Sequence, residues 1–105
     1  MNRGNNSIAV AQEAFTLENG VQLVLAYSIL HLIGPEDEDL YGIRVEKRYP
    51  NGNLIEMQDT AGITGSIAEA KAIAEAFAAG TVPPCALLDM IAEWQYSVDS
   101  AAAPA

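Results

Sequence analysis

The chain has 105 residues, half of them hydrophobic, and a formal charge of −9 at pH 7. That suits one domain with a modest core and excludes a wholly disordered chain. Five Lys and Arg against fourteen Asp and Glu argue against direct binding of nucleic-acid phosphates or of an anionic membrane surface.

Residues 1–6 are polar and contain Gly4, so this end is expected to be disordered. The domain is expected to span residues 7–98, with a flexible tail at 99–105. The first twenty residues lack a continuous apolar run, so no secretory signal is expected. The longest apolar stretch, Val21 to Ile33, is interrupted by Gln22, Ser28 and His31, which suits a strand better than a membrane span. A cytoplasmic location is the expectation.

Two extended segments meet at Leu17-Glu18-Asn19-Gly20-Val21, where Asn-Gly marks a hairpin. A three-residue loop, Glu18-Asn19-Gly20, pairs Leu17 with Val21 and Phe15 with Leu23. The odd-numbered side of the second strand then continues through Leu25, Tyr27 and Ile29. Gly34-Pro35, followed by four acids at Glu36 to Asp39, links this strand to the next. The acidic run lacks the spacing and glycine of a calcium loop and reads as a solvated edge.

The second hairpin turns at Tyr49-Pro50-Asn51-Gly52-Asn53. A three-residue loop puts Pro50 where its fixed φ suits the turn. It pairs Tyr49 with Asn53, Lys47 with Ile55 and Val45 with Met57. This register collects Tyr41, Ile43, Val45, Ile55 and Met57 on one face, and burial of that face selects it. Arg44 and Arg48 share the opposite face with Glu46 between them, as expected of exposed cross-strand charges.

Helical signals follow. Ser66 with Glu69 forms a capping box. Ile67, Ala70, Ile73, Ala74 and Phe77 make one apolar face, and Lys71 and Glu75 lie on the other. Gly80 ends this helix, and Pro83-Pro84 delays the next, which Pro84 can open. Leu87, Ile91, Trp94 and Val98 form its apolar stripe, with Asp89 and Glu93 pointing away. The expected fold is α+β: a four-stranded antiparallel meander, order ββββαα, with two C-terminal helices packed on its odd face.

Tyr41-Gly42-Ile43, Ile63-Thr64-Gly65-Ser66 and Val82-Pro83-Pro84-Cys85-Ala86-Leu87-Leu88-Asp89 resemble the motifs of a small bacterial, Gram-positive-type family known only as a domain of unknown function. The resemblance spans roughly Leu17 to Trp94. It implies a small cytosolic bacterial protein and supplies no activity or site. Pro83 stands where the family usually has Thr, which removes a hydroxyl cap from the second helix.

His31 is the one histidine and Cys85 the one cysteine. A lone cysteine excludes an internal disulfide and a cysteine zinc cage. As a general base His31 would need a nearby nucleophile, and none adjoins it in sequence, so a structural histidine is expected. Cys85 follows two prolines at a helix start, where a thiol can be activated. A small buried apolar residue is its commoner use. No cofactor, metal or catalytic set is expected.

The even side of the first two strands resists so plain a reading. Ile8, Val10, Ala14, Val24, Ala26, Leu30 and Leu32 form an apolar patch that the helices leave bare. A solvated sheet face should alternate to polar residues, and contiguous apolar patches mark interfaces. The expectation is a non-catalytic interaction or regulatory module that forms a homo-oligomer, or binds another protein, through this face. The alternative is a small enzyme or thiol-reactive protein using Cys85 or His31.

Overall fold

The computed structural model describes residues 7–102, with side chains through residue 96. Four strands, β1 (Ser7–Thr16), β2 (Gln22–Ile33), β3 (Asp39–Arg48) and β4 (Leu54–Asp59), precede α1 (Ile67–Ala79) and α2 (Leu87–Ala102). A 3₁₀ turn at Pro84–Ala86 leads into α2. The sheet is antiparallel in the order β1-β2-β3-β4. The helical backbone reaches Ala102, past position 99 where a tail was expected. The expectation for residues 1–6, like the last three positions of the tail, lies outside the described residues.

Both hairpin loops take the expected form. Leu17 N–H donates to Val21 O at 2.8 Å, and Tyr49 N–H to Asn53 O at 3.0 Å. The Asn19 and Asn51 side chains each accept from the backbone N–H two residues on. Gly20 and Gly52 have φ of 87° and 95°, a left-handed conformation that glycine adopts without strain.

The odd side of β2 and β3 is the inner side. Leu25, Tyr27, Ile29, Ile43 and Val45 are buried in one cluster with Ala70, Ile73, Ala74 and Phe77 of α1 and Leu87 and Ile91 of α2. Each fully buried aliphatic side chain there contributes about 1.5–3 kcal/mol. Tyr27 is wholly buried, and its hydroxyl donates to Val82 O at 2.8 Å. That bond ties the link between the helices to the centre of the sheet. Burial, reinforced by the charge of Glu13, pushes the phenol up to about 12.

Two bulges break the simple parity. In β1 the register shifts between Ala9 and Ala11, so Ile8 lies opposite Ile29. Paired residues of an antiparallel ladder share a face, so Ile8 belongs to the helix side, and the bulged Val10 packs against the core. In β4 the register shifts after Arg48–Leu54, giving Lys47–Glu56, Glu46–Met57 and Arg44–Asp59. The expected pairs Lys47–Ile55 and Val45–Met57 do not form. Ile55 and Met57 are 41% and 42% exposed instead of buried. The reason is cover: α1 packs on β1, β2 and β3, whereas β4 meets the 3₁₀ turn. Without a helix over it, burial does not hold β4 in the expected phase.

Beyond β4 the chain continues alongside β3. Thr60 N–H donates to Ile43 O at 2.9 Å, and Thr60 Oγ1 accepts from Ile43 N–H at 3.0 Å. Gly42 permits this close approach, since a Cβ there would lie 2.7 Å from Ala61 O. Tyr41 then bridges to Thr64.

At the start of α1, Ser66 Oγ accepts from Glu69 N–H at 3.1 Å. The return half of the capping box is replaced: Thr64 Oγ1 takes the Ser66 N–H and donates to Glu69 Oε1. At the far end, Val82 N–H bonds Phe77 O and Thr81 N–H bonds Ala78 O, a Schellman close. Thr81, not Gly80, takes the left-handed position, with φ 54°. Pro83 supplies no side-chain cap to the 3₁₀ turn. In α2, Leu87 and Ile91 enter the core, Trp94 packs at its margin and Tyr96 is 74% exposed. Val98, the last residue of the expected stripe, lies beyond the described side chains.

Candidate interaction face

The outer face of the sheet follows from the ladder pairs. β2 contributes Val24, Ala26, Ser28, Leu30 and Leu32, and β1 contributes Ala14. β3 adds a row of charge, Arg44, Glu46 and Arg48. Leu54 lies opposite Arg48, as the loop register alone requires, and Met57 lies opposite Glu46, brought onto this face by the β4 bulge.

Val24, Ala26 and Leu32 are half-buried and Ala14 is exposed. Leu30 is only 8% exposed. It sits opposite Gly42, which Thr60 and Ala61 approach closely, so it is less a surface residue than the alternation implied. Ile8 and Val10, expected beside them, lie on the other face. There they line a cleft of about 380 Å³ with Ile29, Ile67 and Lys71. The apolar patch is therefore smaller than expected on the β1 side and larger on the β4 side.

The charges of the outer face are paired. Arg44 holds Asp59 through two bonds, Nε to Oδ1 at 2.7 Å and an Nη to Oδ2 at 2.9 Å. The Asp59 carboxylate raises the Arg44 pKa above its ordinary value, against the opposing effect of burial. Arg48 bonds Glu46 at 2.8 Å and Gly52 O at 2.6 Å. Two arginines against Glu46 and Asp59 leave this face formally neutral on a chain of net charge −9. A shallow depression of about 270 Å³, lined by Gln12, Val24, Ala26, Glu46 and Arg48, lies between the apolar and charged rows.

His31 stacks on Tyr41 with ring centroids 5.3 Å apart. Its Nε2 lies 2.8 Å from Asp39 Oδ1. His31 is half-buried and paired across β2 and β3. Cys85 is exposed, contrary to the buried role favoured for it; the 3₁₀ turn buries Pro84 and leaves the next side chain outward. Among the described residues no hydrogen bond joins Cys85 to His31, and no cluster of three His, Cys, Asp or Glu could hold a metal. Glu36 N–H is bound by the Glu38 carboxylate, and Asp39 is engaged by His31, so the acidic run is tied within its own loop. No described helix is long and apolar enough to cross a membrane.

A family model described as "Family of unknown function (DUF6514)" matches residues 6–97. The chain belongs to this family. The matched span takes in every strand, α1 and most of α2, so the fold of this DUF6514 member coincides with the family unit. Neither a curated protein nor a solved structure matches the chain.

A continuous strand would put Met57 on the inner side, whereas Leu54 falls opposite Arg48 in either register. The signal that places Met57 is charge. The shifted register sets Lys47 against Glu56 and Arg44 against Asp59, two complementary pairs that the unshifted register loses.

Proposed function

We propose that the protein is a non-catalytic interaction module that self-associates through the outer face of its sheet. The observation carrying this reading is local neutrality. On a chain with nine surplus negative charges, this face combines exposed or half-buried apolar residues with arginines already matched by carboxylates. Two copies can approach there without the repulsion that the rest of the surface imposes. Strand spacing and rise make the face about 20 Å by about 30 Å, or about 600 Å² per copy. A dimer would bury about 1,200 Å², the lower limit of specific interfaces.

Sedimentation velocity across the micromolar range tests this. The expected result is a concentration-dependent dimer that Val24→Lys and Met57→Lys each abolish while leaving the far-UV spectrum and the unfolding midpoint in place. A wild-type chain that stays monomeric throughout overturns it. Leu30→Asp is the wrong probe, because Leu30 is buried and the substitution would unfold the domain.

The exposed thiol of Cys85 favours a second reading, a thiol-reactive protein. Its test is the pH profile of modification in the folded state. An ordinary thiol profile leaves this reading without a nucleophile. A bacterial cytoplasm is the setting we propose, from the motif resemblance and from a single cysteine that suits a reducing compartment.

A further inference from the structure

We propose that the cleft between the first half of β1 and the start of α1 binds a medium-chain alkyl carboxylate. Its volume, about 380 Å³, is in the lower range of small-molecule sites. Ile29 is buried at its base, and Ile8, Val10 and Ile67 are aliphatic walls. Lys71 is the sole charged residue lining it, on a chain where acids outnumber bases nearly three to one. Among the described residues Lys71 makes no ion pair, whereas the other described cations, Arg44, Lys47 and Arg48, each do. Ile67 and Ala68 open α1, so the positive end of the helix lies at the same cleft. An aliphatic trough with one unneutralised ammonium is complementary to an alkyl chain ending in a carboxylate.

The β1 bulge decides against a polypeptide occupant. β1 is the edge of the sheet, and an open edge ordinarily invites a further strand. Here the register breaks between Ala9 and Ala11, beside the cleft. A bulge interrupts the regular ladder that an added strand needs, and in this case it turns Val10 toward α1. A second copy would also set one net charge of −9 against another away from the neutral outer face. A small amphiphile needs no backbone ladder and brings one negative charge instead of nine.

The test is an NMR titration of the full chain with sodium decanoate below its micellar concentration. Saturable shifts are expected at Ile8, Val10, Ile29, Ile67 and Lys71. Octanoate should bind about tenfold more weakly, from two fewer buried methylenes, and neutral decanamide about threefold more weakly, from loss of the exposed ion pair. Ala68→Glu should remove binding without lowering the unfolding midpoint, because an acid in the first turn suits the helix but repels the ligand. Met57→Lys should bind as wild type does, which separates this site from the proposed dimer face. The proposal is overturned by an absence of saturable shifts, as when another segment or a second copy already fills the cleft. Shifts centred elsewhere, or equal binding by Ala68→Glu, overturn it too.

Discussion

In the first hairpin, the pairs set by the loop run unbroken from Thr16–Gln22 to Ala11–Tyr27. In the second, a loop with the same hydrogen bonds and the same left-handed glycine holds only as far as Arg48–Leu54 before the register slips. The loops are equivalent, so they do not cause the difference. What differs is the face each strand offers after the turn. The odd side of β2 lies beneath α1, and a slip there would expel Leu25, Tyr27 and Ile29 from the core. Nothing comparable covers β4, where the shift sacrifices burial of Ile55 and Met57 and gains two charge pairs. A tight turn fixes the first pair of a hairpin, and the burial beyond it fixes the rest.

The sharpest way to break this comparison is to truncate one residue in each second strand. Leu25→Ala should cost about 2–5 kcal/mol, the range for emptying a packed aliphatic site. Met57→Ala should change stability by no more than about 0.5 kcal/mol, as at an exposed position. Urea denaturation measured where the chain is monomeric distinguishes the two. A large loss from Met57→Ala would mean that β4 is buried after all.

Tyr27 sharpens the same contrast, because its hydroxyl connects the well-determined hairpin to the helical layer. Tyr27→Phe leaves Val82 O without this donor and should cost about 1–3 kcal/mol. It should also change the alkaline limb of stability. The folded phenol titrates at about 12 and the unfolded one at the ordinary 10.0. The unfolded chain therefore loses this proton first. The corresponding stabilisation is complete below pH 10 and disappears as pH rises through about 12. Unfolding free energies across that window should fall more steeply for wild type than for Tyr27→Phe. Parallel slopes would show that the phenol is solvated.

These contrasts also explain how much of the molecule was legible in sequence. The strand order, both loops, the inner side of β2 and β3 and the buried face of α1, apart from Ile67, which is exposed, follow from turn chemistry and periodicity. They do so because each is reinforced by a neighbouring layer. The bulges were not legible. One extra residue in an edge strand is decided by a balance of pair energies, each below about 1 kcal/mol, which alternation does not register. The candidate face inherits that error: Val24, Ala26 and Leu32 are readable, whereas the bulges move Ile8 and Val10 off it and Met57 onto it. Cys85 was misread for a related reason, since burial within a three-residue turn follows no period.

Equivalence of the two loops is itself testable. Gly20→Ala and Gly52→Ala meet open space, so only backbone conformation opposes them. Each should cost about 1 kcal/mol, and the two costs should agree. If Gly52→Ala were much cheaper, the second loop would be the looser one, and the register shift would belong to the turn after all.

The smallest expected effect bears on what replaced burial in β4. If complementary charge holds the shifted register, Arg44 and Asp59 should be coupled. A double-mutant cycle with Arg44→Met and Asp59→Asn should return about 0.5–1 kcal/mol, toward the upper end for partly exposed pairs because the contact is bidentate. Lys47 and Glu56, a single contact at 3.3 Å, should return less. Both couplings should shrink in high salt while the cost of Leu25→Ala stays constant. A register maintained by charge then weakens under conditions that leave the covered hairpin unchanged, and amide exchange in β4 should accelerate with salt before that in β2. Exchange that responds equally in both strands would show that packing still unseen, and not charge, selects the bulged register.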